Sequence, residues 1–193
     1  MSLKRIAIAF SGEGSNLEVL IKALHQKHFG DFKVEVVAAI TNNPKAKGIA
    51  RAKKYGVDVI MIDHRDYKSR EAFDTKLVAT IKALRVDLVV LAGFMRILTP
   101  IYTKHIRSIN IHPSLLPAFK GANALQRSFE SNENIVGVTA HFVVEEVDGG
   151  EIIMQKSFDK LGMDFETFKA NIHACEHEIF PQAVVKVLED SHT

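Results

Sequence analysis

The chain has 193 residues, enough for one domain with a substantial core. Its 47% hydrophobic and 25% charged residues are those of an ordinary globular protein, and 25 Lys+Arg against 23 Asp+Glu argue against a nucleic-acid or acidic-membrane binder. The single Cys175 excludes an internal disulfide framework, and no apolar run approaches the ~20 residues of a membrane span, so a cytoplasmic setting is expected.

Residues 1–3 are set aside as an expression scar. "RIAIAF" (5–10) lacks a following small-residue cleavage site and is expected to be a first strand, not a signal peptide. The turn "SGEG" leads to a helix over 15–27, "KVEVVAAIT" (33–41) is a second strand, and a second helix ends at Gly56. "VDVIMI" (57–62) is a third strand. A helix over 69–84 then places Phe73, Leu77, Ile81 and Leu84 on one face. "VDLVVLAGF" (86–94) is apolar almost throughout, as a strand buried on both faces should be. In "RSINIHP", Ile109 and Ile111 share one face and Asn110 and His112 the other, about 6.6 Å apart, and Pro113 should end the strand. "VGVTAHFVV" and "EIIMQKSF" read as antiparallel strands around "EEVDGG". A closing helix over 165–188 carries Phe168, Ile172, Ile179, Ala183 and Val187 on one stripe, with a kink expected at Pro181. No repeat or linker interrupts this order, so the fold expected is a single α/β domain with a mostly parallel, mixed sheet and helices on both faces.

Three places put polar groups where they are costly. "FSGEGSNL" (10–17) turns from strand to helix through two glycines; the free N–H groups at the helix start form an anion site, or Ser15 or Asn16 serves as an ordinary N-cap. Glu176 stands on the apolar stripe of the last helix, where a carboxylate is either at the edge in water or buried and paired. His173 and His177 have a spacing that metal sites use, yet no HExxH or third ligand accompanies them, so no metal is expected. Asp148 in "EEVDGG" is a hairpin tip, or a carboxylate that fixes and charges a nearby histidine.

"SGEGSNL" (11–17), "SREAFD" (69–74), "LAGFMRIL" (91–98), "NIHPSLLP" (110–117), "HFVVEEVDGG" (141–150) and "EH" (176–177) cover nearly the whole chain. Together they resemble the phosphoribosylglycinamide formyltransferase family, folate-dependent enzymes of purine synthesis. The resemblance implies a Rossmann-like domain, with residues 1–112 as a nucleotide- and phosphate-binding half and 113–193 as a folate-binding and closing-helix half. It implies Asn110, His112 and Asp148 as the catalytic trio, Gly14, Ser15 and Asn16 as the phosphate loop, and Glu176 as the ribose ligand. Arg70, Met95, Arg96, Ile97, Leu98, Val144, Glu145, Glu146 and Val147 match the folate cleft. The substrates implied are 10-formyltetrahydrofolate and 5'-phosphoribosylglycinamide, with no metal, no nucleic acid, and a monomer or homodimer. Asn110 and a protonated His112 would donate to a tetrahedral oxyanion, with Asp148 keeping the histidine charged. One stretch departs from the pattern. The family carries a His or an acidic residue before a Gln-Ala pair, where "LQRSFESN" (125–132) puts Leu125 against the cleft.

Related enzymes use parts of the same signature. Methionyl-tRNA formyltransferases add a C-terminal RNA-binding barrel, for which 193 residues are expected to leave no room. Formyltetrahydrofolate deformylases add a regulatory domain before the first strand; such a hydrolase is the alternative reading, since water in place of the amine changes little in the trio. A silent module on the same fold is disfavoured because all three trio positions are filled.

Overall fold

The central strands of this protein are apolar on both faces, and that dictates its layers. In the computed structural model, which describes residues 2–190, strand β1 (Ser2–Phe10) sends Ile6, Ile8 and Phe10 into one core and Ala7 and Ala9 into another. Strand β5 (Leu88–Leu91) divides likewise, Leu88 and Val90 against Val89 and Leu91. A sheet so composed must be covered by helices on both sides.

The remaining elements follow in chain order. Helix α1 (Ser15–Leu24) precedes a short hairpin of β2 (His28–Phe29) and β3 (Phe32–Thr41), then α2 (Gly48–Lys54), β4 (Val59–Met61) and a 3-10 turn at His64–Asp66. Helix α3 (Arg70–Leu84) leads to β5, the short α4 (Pro100–Thr103) and β6 (Ser108–His112). Last come α5 (Ala124–Glu130), β7 (Ile135–Phe142), β8 (Ile152–Asp159) and α6 (Phe165–Glu189). One eight-stranded sheet runs β2-β3-β1-β5-β6-β7-β8, with β4 also pairing with β3. Pairs β1–β3, β3–β4, β1–β5 and β5–β6 are parallel, whereas β2–β3, β6–β7 and β7–β8 are antiparallel. Helices α1, α2 and α6 pack on one face, and α3 and α4 on the other.

The chain starts in the middle of the sheet at β1, builds outward through β3 and β4, then returns to add β5 and β6 on the other side. Connections leaving the carboxyl ends of β1 and β5 therefore diverge, and a crevice opens between them, the usual binding place in such sheets.

Several boundaries differ from the sequence expectation. Strand β1 begins at Ser2 and not at Arg5, since Ser2 and Leu3 pair with Phe32 and Lys33 in the sheet; Met1 lies outside the described residues. Helix α1 ends at Leu24 and not near 27, because His25 is extended and Gln26 adopts φ 62°, turning the chain to bond Val34. The strand expected over 86–94 is only Leu88–Leu91, since Gly93 (φ 74°) turns the chain away from the sheet. Helix α5 has no counterpart in the sequence expectation. Pro181 sits inside α6, which runs on through it to Glu189.

Candidate active site

Close backbone approach shapes the turn after β1. Gly14 has φ 75°, and a Cβ there would stand 2.6 Å from the Gly48 Cα at the start of α2. Gly48 is equally confined, as its Cβ would fall 2.5 Å from the Phe10 ring. Gly14 is itself the N-cap of α1, so the reading of Ser15 or Asn16 as cap is corrected: both lie inside the first turn. A glycine cap has no side chain to accept, and no side-chain cap bond engages the open N–H groups there. Their dipole and orientation suit an anion.

Helix α6 brings Glu176 to this turn. Its side chain is 7% exposed, takes a 3.0 Å hydrogen bond from Asn16 Nδ2, and lies 3.1 Å from His173 Nδ1. The carboxylate on the apolar stripe is thus buried and paired. Its hydrogen bond holds the His173 pKa above the ordinary value, against the effect of burial. Asn16 Oδ1 is buried beside it without a partner. Gly14, Ser15, Asn16, Glu176 and Leu125 share one cleft of about 620 Å³, the size of a small-ligand site. Met95 and Arg96 also border it.

Asn110 and His112 reach the end of β6, which stops before Pro113. His112 is buried, with Nδ1 3.3 Å from Asp148 Oδ2 and Nε2 donating to the Phe119 carbonyl at 2.9 Å. Two acceptors favour a doubly protonated ring. Burial opposes them and, with His141 and Arg127 nearby, holds the His112 pKa below its ordinary value. Asp148 sits in a turn with φ 52°, so it is both a turn residue and a histidine partner. The Gly121 N–H donates to its Oδ2 at 2.8 Å. Burial pushes this carboxyl up, but His141, the Gly121 N–H and His112 together hold it below the usual carboxylate value.

A second, smaller cleft is lined by Arg96, Ile97, Leu98, Asn110, Val144, Glu145, Glu146, Val147 and Asp148. Its near wall is the segment after β5. Phe94 stacks on Phe73 of α3 at 6.5 Å, and the Arg96 guanidinium lies 5.5 Å from the same ring. Asp74, buried at 1% exposure, accepts from Thr99 N at 2.6 Å and Thr99 Oγ1 at 2.7 Å, pinning the segment's far end. Met95 and Ile97 are left 75% and 61% exposed, apolar surface facing no core. Arg70 opens α3, exposed, and lines neither cleft.

Sequence reasoning gave no role to His141. It stands opposite Asn110 across the β6–β7 pair, 2% exposed, with Nδ1 donating to the Phe142 carbonyl at 2.9 Å. Its Nε2 lies 3.3 Å from Asn110 Nδ2 and 3.5 Å from Asp148 Oδ1, so it touches two of the trio. Period-2 alternation in "GVTAHFV" groups this histidine with Gly137 and Thr139, opposite the apolar Val138, Ala140 and Phe142, so the pattern alone hides its burial. Phe119 and Gly121 carried no signal, since they act through backbone atoms. Among the described residues, no group of three or more His, Cys, Asp or Glu side chains is placed to hold a metal ion. No described helix is long and apolar enough to cross a membrane.

Comparison with known proteins gives these features a context. A family model described as "Formyl transferase" matches residues 4–184. The phosphoribosylglycinamide formyltransferase of Haemophilus influenzae is 37% identical over 185 residues, covering 94% of this chain and 86% of that protein. The trifunctional purine biosynthetic protein adenosine-3 of Drosophila melanogaster is 41% identical over 188 residues, but the chain spans only 14% of its length. A crystal structure of phosphoribosylglycinamide formyltransferase from Campylobacter jejuni superposes with a TM-score of 0.95 at 50% identity, covering 96% of this chain and 98% of that one.

Proposed function

The chain belongs to the formyl transferase family, among the phosphoribosylglycinamide formyltransferases, and from that premise we propose that it moves the formyl group of 10-formyltetrahydrofolate to the amine of 5'-phosphoribosylglycinamide in purine biosynthesis. The observation that carries this reading is the meeting of two clefts at Arg96. One has a glycine-capped anion turn and a buried carboxylate; the other has Asn110 and Asp148 in its wall. In this assignment the ribonucleotide phosphate sits on Gly14, Ser15 and Asn16, and its ribose hydroxyls on Glu176. The folate lies along residues 95–98 and 144–147, and Arg70, which lines neither cleft, is assigned only to a part of it that projects beyond them. Both halves thus serve both substrates: the half up to residue 112 carries the phosphate turn and residues 95–98, and the half after it carries Glu176 on the closing helix and residues 144–147.

The amine nitrogen attacks the formyl carbon, the C–N bond forms, and the carbonyl oxygen takes the negative charge. Asn110 Nδ2 and the His112 imidazolium donate to that oxygen. The Phe119 carbonyl accepts a hydrogen bond from His112 Nε2. A charged oxygen is the stronger acceptor and displaces it. Its charge also reverses the effect of burial on the ring, and Asp148 steadies the imidazolium from Nδ1. A water carries the proton from the attacking amine to the leaving folate nitrogen as the tetrahedral species collapses. His141 orients the Asn110 amide. Holding both substrates in line supplies a large share of the acceleration.

Loss of 10-formyltetrahydrofolate followed by absorbance, with and without the ribonucleotide, tests the assignment. Turnover that requires the ribonucleotide is expected. Equal turnover without it means hydrolysis, and the deformylase reading replaces this one.

A further inference from the structure

A buried lysine outside both clefts has no part in the scheme above. Lys160 follows β8, is 9% exposed, and has no carboxylate within ion-pair distance among the described residues. Its Nζ donates to the carbonyls of Ser128 (2.7 Å), Phe129 (2.6 Å) and Ser131 (2.8 Å), with Ser131 Oγ at 3.2 Å. These carbonyls belong to the C-terminal end of α5, where a helix has acceptors and no intrahelical donors. An ammonium with three protons facing three carbonyls is satisfied, and the helix dipole adds to the attraction.

Helix α5 needs such a clamp. It is seven residues long, enters through Asn123 at φ 57° with no side-chain cap bond, and buries only Ala124 and Ser128. Phe129 adds ring contacts to Phe165 and Phe168, both at 5.2 Å. Yet the stretch leading into α5 supplies the Phe119 carbonyl to His112 and the Gly121 N–H to Asp148, and α5 itself puts Leu125 against the larger cleft. At its other end this stretch is fixed by Leu116, whose N–H donates to Thr139 Oγ1 and whose carbonyl accepts from Gln155 Nε2, both at 3.0 Å.

We propose that Lys160 is a positioning residue for formyl transfer: by clamping the last carbonyls of α5 it holds residues 118–131 where Gly121 meets Asp148 and Leu125 walls the ribonucleotide cleft. The inference rests on the function proposed above.

The test compares wild type with Lys160→Met, Lys160→Gln and Lys160→Arg in kcat, KM for each substrate, the pH profile and melting temperature. Loosening α5 by about an ångström is expected to lower kcat/KM for the ribonucleotide by about 10²-fold in Lys160→Met, with a far smaller change in KM for the folate. The groups facing Asp148 are His112, His141 and the Gly121 N–H, and only the last is lost with the clamp. The acid limb of kcat/KM therefore moves to higher pH, and Lys160→Arg recovers part of both effects. Lys160→Gln, which keeps two donors, carries the same readings if Lys160→Met does not fold. Wild-type kcat/KM and an unmoved acid limb in either folded variant, with only the melting temperature lowered, would overturn the proposal and leave Lys160 a structural cap. A wild-type enzyme that does not need the ribonucleotide would instead overturn the functional assignment, and this role with it.

Discussion

Replacing Asp148 by Asn keeps the side chain's shape and an oxygen able to accept from the Gly121 N–H, while removing the negative charge beside His112 and His141. Unit charges 3.3 Å apart, the Nδ1–Oδ2 distance, attract by roughly 5 kcal/mol at an effective dielectric of about 20. Both side chains are at most 10% exposed, so solvent screens little of this. The donor that an imidazolium supplies to an oxyanion is worth about 2.7–4 kcal/mol. The smaller figure sets the limit, because a neutral ring forfeits only that donor. Asp148→Asn should therefore lower kcat by about 10²–10³-fold at neutral pH. The assay is formyl-folate consumption at saturating ribonucleotide, paired with an NMR titration of the His112 ring, whose pKa should fall further below its ordinary value. The reasoning also fixes a stability dependence. A carboxyl held below its unfolded pKa contributes stability at higher pH that is lost as pH falls through the folded value, and the variant should lack that acid-side loss. Turnover within threefold of wild type, with an unshifted His112 ring and unchanged folding, would refute the role given to Asp148.

Gly14→Ala should destabilise the fold by about 1–3 kcal/mol in chemical denaturation, since φ 75° and the 2.6 Å approach to Gly48 both oppose a Cβ, and should raise KM for the ribonucleotide. Glu176→Gln should bring the His173 pKa down towards its ordinary value by NMR. The stability that this pair contributes is present below the unfolded histidine pKa and fades as pH rises through the raised folded one, so the variant's deficit should shrink at alkaline pH. Asp74→Ala removes two hydrogen bonds to a buried carboxylate and leaves Thr99 N without an acceptor, costing about 3–5 kcal/mol by denaturation. The freed 93–98 segment should also raise KM for the folate.

Patterns within one element were legible in the sequence. The alternation in "RSINIHP" gave β6 and its stop at Pro113, and the stripe Phe168, Ile172, Ile179, Ala183 and Val187 is buried throughout α6. Ser69 accepts from Ala72 N as N-cap of α3, where the helix was expected to start. Short or weakly signalled elements were not legible. β2 has two residues, and α5 begins at a left-handed Asn123 and is marked by only one short apolar pair, Leu125 and Phe129, beside Ala124. Contacts between distant segments were also hidden. His141 meets Asn110 only because β6 and β7 pair in one register, and Lys160 meets α5 across about thirty residues of chain. The resemblance supplied the trio; the bond from His112 to the Phe119 backbone belongs to the folded chain alone.

The most direct measurement follows the formyl carbon itself. With 10-formyltetrahydrofolate labelled with carbon-13 in the formyl group, and with 5'-phosphoribosylglycinamide present, the account predicts the label on the glycinamide nitrogen by NMR, and its disappearance in His112→Ala. Label recovered as free formate, or unchanged transfer in a folded His112→Ala protein, would contradict it.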